Sequence, residues 1–238
     1  METTIDEVAP NIFRLSTWNP GITAEGFTFN QFLLTGEEPF LFHTGMRQLF
    51  PVVSEAIARL IPLETLRWIS FGHLEADECG AVNQMLAAAP HAEVIHGPLA
   101  CMLSLTDICD RLPVVASEDD VHDTGGHRLR FIGTPHIPHN WEAGIWYDEE
   151  TRTLLAGDLF THVGNPPALV NTDLVEPAVV AEEIFHATGL TPSLVPTLHR
   201  LAELEPTTLA VMHGSSFSGD GGAQLRGLAA GYATMLAQ

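Results

Sequence analysis

A short apolar segment that leads directly into a cluster of reactive side chains most constrains the fold of this 238-residue chain. The segment, Leu-Arg-Trp-Ile-Ser-Phe at 66–71, has the length of a buried strand, and His73, Glu75 and Asp77 follow it. Side chains at alternate positions beyond a strand end can converge on one metal ion. The pattern predicts a β-sheet with a metal site at one edge, although taken alone the same residues could form a solvated turn.

Three further residues extend this pattern along the chain. His139 lies in the segment 134–142, Asp158 follows the apolar run Leu-Leu-Ala-Gly, and His213 follows Leu-Ala-Val-Met. Each is next to a short apolar segment, and loops at strand ends normally carry chemistry. Carboxylate oxygens favour iron or manganese over zinc, whose sites depend more on imidazole and thiolate ligands. The donor set therefore indicates iron or manganese.

The order of these residues resembles the metallo-β-lactamase superfamily, and within it the flavodiiron proteins and their flavin-free relatives, the oxygen-binding di-iron proteins. Zinc hydrolases of that superfamily carry His-x-His-x-Asp-His, whereas the di-iron branch carries His-x-Glu-x-Asp, and this chain has Glu75 at the distinguishing position. The 19-residue step from His139 to Asp158 also fits the di-iron branch and selects His139 over His136. The resemblance spans essentially the whole chain.

The resemblance implies an α/β protein with the four-layer αββα sandwich of the metallo-β-lactamase fold, as a single domain over residues 1–238. It also implies two bound iron ions, with zinc or manganese as alternatives. The implied ligands are His73, Glu75 and His139 for one iron, Asp77 and His213 for the other, and Asp158 as the bridge between them. Three carboxylates would offset most of the charge of a diferrous pair, and such a site can bind and reduce dioxygen.

Two positions depart from the family pattern. The residue after Asp77 is a histidine ligand in most flavodiiron proteins and hydrolases, and here it is Glu78. Glu78, which we include among the candidate ligands, is either an additional carboxylate ligand or a first-turn helix acid that points away and leaves an open coordination position. The superfamily usually has an aspartate where this chain has His43. His43 either orients a ligand or is a satisfied half-buried histidine, and we favour the second interpretation.

Other side chains near the motif are candidates for the surroundings of the metals. His162 could line the gas pocket or hydrogen-bond a ligand, and His136 could cap the pocket; surface or core roles are the alternative for both. Trp141 and Phe160 could shape an apolar pocket, although aromatic residues next to strand ends are more often plain core.

Hydrophobic periodicity and Gly and Pro turns predict the remaining elements. Strands are predicted at 12–15, 30–34, 40–42, 93–96, 128–132, 143–147 and 208–212. Helices are predicted at 51–60, 77–89, 98–111, 177–187, 192–204 and 222–237. Two mixed sheets flanked by helices would bury these strands.

Composition argues against several classes of partner. The net charge of −20 argues against binding of nucleic acid or an anionic membrane, which needs clustered cations. The N-terminus lacks a secretory signal, and no apolar run approaches the roughly 20 residues that span a bilayer. The cysteines, Cys79, Cys101 and Cys109, form no Cys-x-x-Cys pair, which suits a reducing compartment. We therefore expect a cytoplasmic protein.

The predicted function depends on the metals and on an external electron source. The chain contains no Gly-rich phosphate loop for flavin and no rubredoxin-like pair of Cys-x-x-Cys motifs, so we expect a separate electron-donor protein. The favoured hypothesis is a di-iron oxidoreductase that reduces dioxygen or nitric oxide. The alternatives are an oxygen-binding sensor module without turnover and a metal-dependent, zinc-type hydrolase. A homodimer is implied by the resemblance alone.

Overall fold

The computed structural model describes residues 2–118 and 120–237. Its strands are β1 Thr3–Ala9, β2 Ile12–Asn19, β3 Phe27–Leu34, β4 Phe40–Phe42, β5 Trp68–Ser70, β6 Glu93–His96, β7 Val114–Val115, β8 Val121–Asp123, β9 Arg128–Gly133, β10 Gly144–Asp148, β11 Thr153–Gly157, β12 Leu169–Val170, β13 Thr208–Val211 and β14 Ser216–Ser218. The helices are α1 Phe50–Ala58, α2 Ala76–Cys79, α3 Val82–Ala88, α4 Pro98–Ala100, α5 Thr106–Ile108, α6 Val175–Phe185, α7 Leu194–Ala202 and α8 Gly221–Leu236.

The strands form two mixed sheets. The order in the first sheet is β1-β2-β3-β4-β5-β6-β7, with antiparallel pairing from β1 to β4 and parallel pairing from β4 to β7. The second sheet has the order β12-β14-β13-β11-β10-β9-β8, in which β11 and β13 pair in parallel. In both sheets a candidate metal-binding loop therefore leaves the carboxyl end of a central parallel strand.

Apolar side chains from both sheets share the layer between them. Phe32, Phe42, Phe131 and Trp146 are buried there, and burial of each such side chain stabilises the fold by about 1.5–3 kcal/mol. Helices α1 and α3 cover the outer face of the first sheet, and α6, α7 and α8 cover the second. The predicted αββα sandwich is confirmed. Because both sheets share this layer, we propose that the chain forms one domain.

Hydrogen bonds between the sheets hold the edge that carries the candidate site. Trp146 Nε1 donates to Ser70 Oγ at 2.8 Å, and Ser70 Oγ donates to the Ile95 carbonyl at 2.6 Å. The Gly144 amide donates to the Gly72 carbonyl at 2.8 Å, one residue before His73. The loop after β5 is therefore tied to the start of β10 in the opposite sheet.

The structure departs from the predicted elements in three respects. The helix predicted at 77–89 is divided into α2 and α3, because the Ala81 amide donates to the Gly45 carbonyl and to Thr44 Oγ1 instead of continuing α2. The helix predicted at 98–111 contains a π-helical turn, Cys101–Leu105. The prediction also missed β1, β7, β8, β12 and β14, strands at or next to sheet edges that depend on pairing more than on apolar periodicity.

Among the described residues, no helix combines the length and the apolar character needed to cross a lipid bilayer.

Candidate metal centre

Four loops at one edge of the sandwich carry the candidate ligands, and each follows or precedes a strand of the buried sheets. The ligand-bearing segments are His73 to Asp77 after β5, His139 between β9 and β10, Asp158 after β11, and His213 after β13. Because the strands are held by the hydrogen bonds of two sheets, the loops start from rigid points. Asp77 and His213, which are 136 positions apart in sequence, are thereby brought within 3.3 Å of each other.

The first group of side chains surrounds a point that could hold one metal ion. Glu75 Oε2 lies 3.0 Å from His73 Nε2 and 2.9 Å from His139 Nε2. Asp158 Oδ2 lies 3.8 and 3.9 Å from the same two nitrogens. One ligand atom from each of these four residues lies within 4.8 Å of all the others. We call this set, with Oδ2 of Asp158, the first position.

A second group lies on the other side of Asp158. His213 Nε2 is 3.3 Å from Asp77 Oδ2 and 3.2 Å from Asp158 Oδ1. We call Asp77, His213 and Oδ1 of Asp158 the second position. Asp158 thus directs one carboxylate oxygen to each position, which is the arrangement that a bridging carboxylate needs.

The donor set fits bound metal ions. Asp77 Oδ1 is buried and has no hydrogen-bond partner among the described residues, and an unpaired buried carboxylate oxygen is costly unless a cation balances it. His213 Nδ1 donates to the Thr28 carbonyl at 2.8 Å, which leaves Nε2 directed at the carboxylates. Oriented imidazole and carboxylate groups of this kind are typical of metal ligands.

Glu78 is placed behind His73 and outside both positions. Glu78 Oε2 accepts hydrogen bonds from the Gly72 and His73 amides at 2.6 Å each, and Oε1 lies 3.2 Å from His73 Nδ1. The side chain is fully buried. It therefore contacts the His73 ring nitrogen opposite the one that lies near Glu75 and Asp158, and its carboxylate points away from both positions.

The three accessory histidines have different surroundings. His43 is fully buried, with Nδ1 3.3 Å from the Asn30 carbonyl and Nε2 3.6 Å from Glu78 Oε1. His162 is also buried, and its nitrogens contact the Phe160 carbonyl and the Ser215 amide at 2.8 Å each, so it bridges two loops without facing the metals. His136 is exposed and does not line the cavity described next.

A cavity of about 430 Å³ opens onto the candidate metal positions. Its lining includes Glu75, Asp77, His139, Asp158 and His213, together with a mostly apolar wall of Ile22, Phe27, Phe29, Met46, Ala178, Ala181, Phe185 and Tyr232. Trp141 and Phe160 do not line it, because Trp141 is exposed and Phe160 is buried in the core beneath the second sheet. Phe27 and Phe29 were missed by the sequence analysis, although their alternation along β3 puts them on one face.

Glu142 and Asn140 hold the backbone of Leu74, which lies between His73 and Glu75. Glu142 Oε1 accepts a hydrogen bond from the Leu74 amide at 3.0 Å, and Asn140 Nδ2 donates to the Leu74 carbonyl at 3.3 Å. Leu74 lies between two candidate ligands, so these contacts set their separation. The only sequence signal for them was their closeness to His139.

Charges within the cluster shift the pKa values of its members. Burial lowers the pKa of His73, but the carboxylates of Glu78, Glu75 and Asp158 outweigh burial and raise it to about 11. Burial is likewise outweighed at His213, where Asp158 and Asp77 raise the pKa to about 10. Hydrogen bonds from His139 and His73 lower the pKa of Glu75 to about 2.

The pKa values of His43, Glu78 and Asp158 are lowered. Burial lowers the pKa of His43. At Glu78 and Asp158 burial acts to raise the pKa, but adjacent imidazoles outweigh it and leave the pKa below its ordinary value. The carboxylates of Glu75 and Asp158 are therefore ionised at neutral pH and available as ligands.

These shifts predict a proton release on metal binding. In the metal-free protein at pH 7, His73 and His213 carry a second proton because their pKa values are raised, and a metal bound at Nε2 must displace it. We expect about two protons released per chain on full metal loading, and affinity that rises with pH up to the raised pKa values. Calorimetric titrations in buffers of different ionisation enthalpy measure this number, and a value near zero would contradict the prediction.

Comparison with known proteins supports the fold. The chain is 29% identical over 138 residues to diflavin flavoprotein A 2 of Synechocystis sp., which is 57% of this chain and 24% of that protein. It superposes with a TM-score of 0.81 on rubredoxin oxygen:oxidoreductase from Desulfovibrio gigas, at 16% identity, covering 99% of this chain and 62% of the other. It superposes with a TM-score of 0.78 on the metal-soaked flavodiiron core of a Synechocystis sp. protein, at 25% identity, covering 99% and 61%.

The chain thus spans about a quarter of the length of the curated relative and about three fifths of each solved chain. A family model described as ODP family beta lactamase matches residues 27–214, which include every candidate ligand. The chain therefore belongs to the ODP family beta lactamase group of the metallo-β-lactamase fold, with flavodiiron proteins among its relatives.

Proposed function

We propose that this protein holds a non-haem di-iron centre that binds and reduces dioxygen or nitric oxide, with electrons from a separate donor protein. The observation that carries the proposal is the position of Asp158, whose two oxygens face two separate sets of ligands. The carboxylates of Glu75, Asp77 and Asp158 favour iron over zinc at such a site.

The names of the relatives support the same function. They include a flavodiiron core and a rubredoxin oxygen:oxidoreductase, and the second name pairs oxygen with an iron-thiolate electron donor. A donor protein of the rubredoxin or flavodoxin type is therefore the partner we propose. The homodimer and the cytoplasmic location expected from the sequence stay predictions.

The residues of the chain would prepare the site for a small uncharged gas. A ferrous pair would supply redox-active coordination positions at which the gas is reduced. Phe27, Phe29 and Phe185 form an apolar wall that disfavours ordered water next to the ligands. Reduction of the gas consumes protons, and the carboxylate of Glu182 and the hydroxyls of Thr161, Thr188 and Tyr232 are cavity-lining groups that can relay them.

The arrangement of ligands keeps each imidazole in one orientation. His73 donates Nδ1–H toward Glu78, and His213 donates Nδ1–H to the Thr28 carbonyl, so both present Nε2 to the metals. Glu75 lies between His73 and His139 and is half exposed on the cavity side.

The proposed function is tested by metal analysis and anaerobic oxygen titration of protein produced in iron-supplemented cells. We expect about two iron ions per chain and a new charge-transfer band when the reduced protein meets oxygen. Catalytic oxygen consumption with reduced rubredoxin would identify a reductase, and a stable optical change without consumption would identify a sensor. Zinc with no optical response to oxygen would overturn the proposal in favour of hydrolysis.

A further inference from the structure

The two positions at which this chain departs from the family pattern are in contact with each other. His43 Nε2 lies 3.6 Å from Glu78 Oε1, the oxygen that also faces His73 Nδ1, and His43 Nε2 is buried without a hydrogen-bond partner among the described residues. The Thr44 amide, next to His43, donates to the Glu78 backbone carbonyl at 2.7 Å. The family pattern that the sequence resembles has an acid at residue 43 and a histidine at residue 78, so relative to that pattern this chain has the acid and the base exchanged across one contact.

The backbone holds both members of this pair in place. His43 has φ of +68°, a left-handed conformation that a histidine adopts only where its surroundings hold it. Its amide donates to the Ser70 carbonyl at 2.8 Å, which ties it to β5. The buried pair is therefore connected to the strand that leads into the candidate ligands.

The carboxylate of Glu78 is fully engaged on the side away from the metals. It accepts two backbone amides and faces His73 Nδ1, as described above. A Cβ atom at Gly72 would lie 3.0 Å from both Glu78 oxygens, so the glycine leaves room for the carboxylate. If Glu78 turned toward the second position, the Gly72 and His73 amides would lose their buried acceptor.

We propose that the exchanged His43–Glu78 pair supports the first metal position at the expense of the second, which makes the second metal the more weakly bound. His73 gains a carboxylate on Nδ1, a contact that usually strengthens an imidazole ligand. Among the described residues, the first position has four candidate ligands, whereas the second has only Asp77, His213 and the shared Asp158.

This inference rests on the proposed metal centre. Titration of metal-free wild-type protein with Co²⁺ under anaerobic conditions tests the inference and the proposed centre separately. Visible absorption and calorimetry follow the binding steps. We expect two steps whose dissociation constants differ on the order of tenfold or more. Two metals bound with equal affinity would overturn the inference alone, whereas no specific binding would overturn the proposed centre as well.

Glu78→Gln separates a positioning role from a ligand role. An amide in place of the carboxylate puts a donor against the His73 Nδ1–H, so we expect the tighter dissociation constant to rise about ten- to a hundredfold with the weaker one unchanged. Loss of the weaker metal alone would instead identify Glu78 as a ligand and overturn the proposal. Asp148→Asn is the matched control, because Asp148 is also a buried acceptor for an imidazole Nδ1, that of His127, at the far end of β10.

The double variant His43→Asp with Glu78→His tests the exchange directly. It restores the order of the family pattern, so we expect the weaker metal to bind more tightly and the two dissociation constants to become more similar. Glu78→His alone leaves two imidazoles facing each other. Equal effects of the single and double variants on the affinity for the second metal would contradict coupling between residues 43 and 78. Thermal unfolding identifies variants that fail to fold, and the wild-type titration decides the proposal in that case.

Discussion

Replacement of Asp158 by alanine is expected to prevent binding of the metal pair. The carboxylate directs one oxygen to each position, so its loss removes a ligand from both and also removes the negative charge that balances His73 and His213. We expect the metal content to fall from about two ions to less than one per chain, with loss of the optical response to oxygen. Elemental analysis and anaerobic titration measure both quantities.

Asp107→Ala is a suitable control for this variant, because Asp107 is an exposed acid in α5. It changes the net charge by the same amount and should leave the metal content unchanged. If Asp158→Ala kept both metals and full oxygen reactivity, the bridging role would be wrong. Loss of only one metal with the other retained at normal affinity would assign Asp158 to a single position.

Gly214→Ala is expected to destabilise the protein strongly. Gly214 follows His213 and has φ of +108°, and an added Cβ would overlap the imidazole of His162, which is held by hydrogen bonds on both nitrogens. Backbone strain and overpacking together predict a loss of about 4 kcal/mol in the free energy of unfolding. That corresponds to a fall of about 10 °C in melting temperature.

Gly164→Ala provides the matched control. Gly164 has a similar φ of +98°, but an added Cβ would meet no atom within 4 Å. It should therefore show only the backbone strain, about 1–2 kcal/mol. Denaturant unfolding of the metal-free proteins separates these values from any effect on metal affinity. Equal destabilisation by the two substitutions would show that the contact with His162 contributes nothing.

The backbone of Gly214 also holds the loop that carries His213. Gly214 accepts hydrogen bonds from Arg14 and from Asn30 Nδ2 at 2.9 Å each, and its amide donates to Thr28 Oγ1 at 2.7 Å. The loop that carries His213 is thereby fixed to β2 and β3 of the opposite sheet. A disturbance at Gly214 should consequently weaken the second metal position before the first.

Much of the candidate site could be predicted from local sequence. The candidate ligands occupy short segments beside apolar strands; His73 and Glu75 alternate after β5, and Asp77 follows in the first turn of α2. The fold class was implied by the family resemblance that these residues carry, and the αββα sandwich is confirmed by the two sheets and their covering helices. Short edge strands such as β7 and β12 could not be predicted, because they contain two residues each and owe their form to pairing.

By itself, the sequence predicted the fold class and the order of the candidate ligands, because both predictions depend on residue types and on their spacing beside short apolar segments. Only the tertiary structure decided where Glu78 points, because the acceptors and donors that hold it come from Gly72, His73 and His43 on different segments. The cavity was likewise decided by α6 and α8, whose contributions Phe185 and Tyr232 are remote in sequence from the ligand motif. Contacts between distant segments depend on packing, and local periodicity carries no information about them.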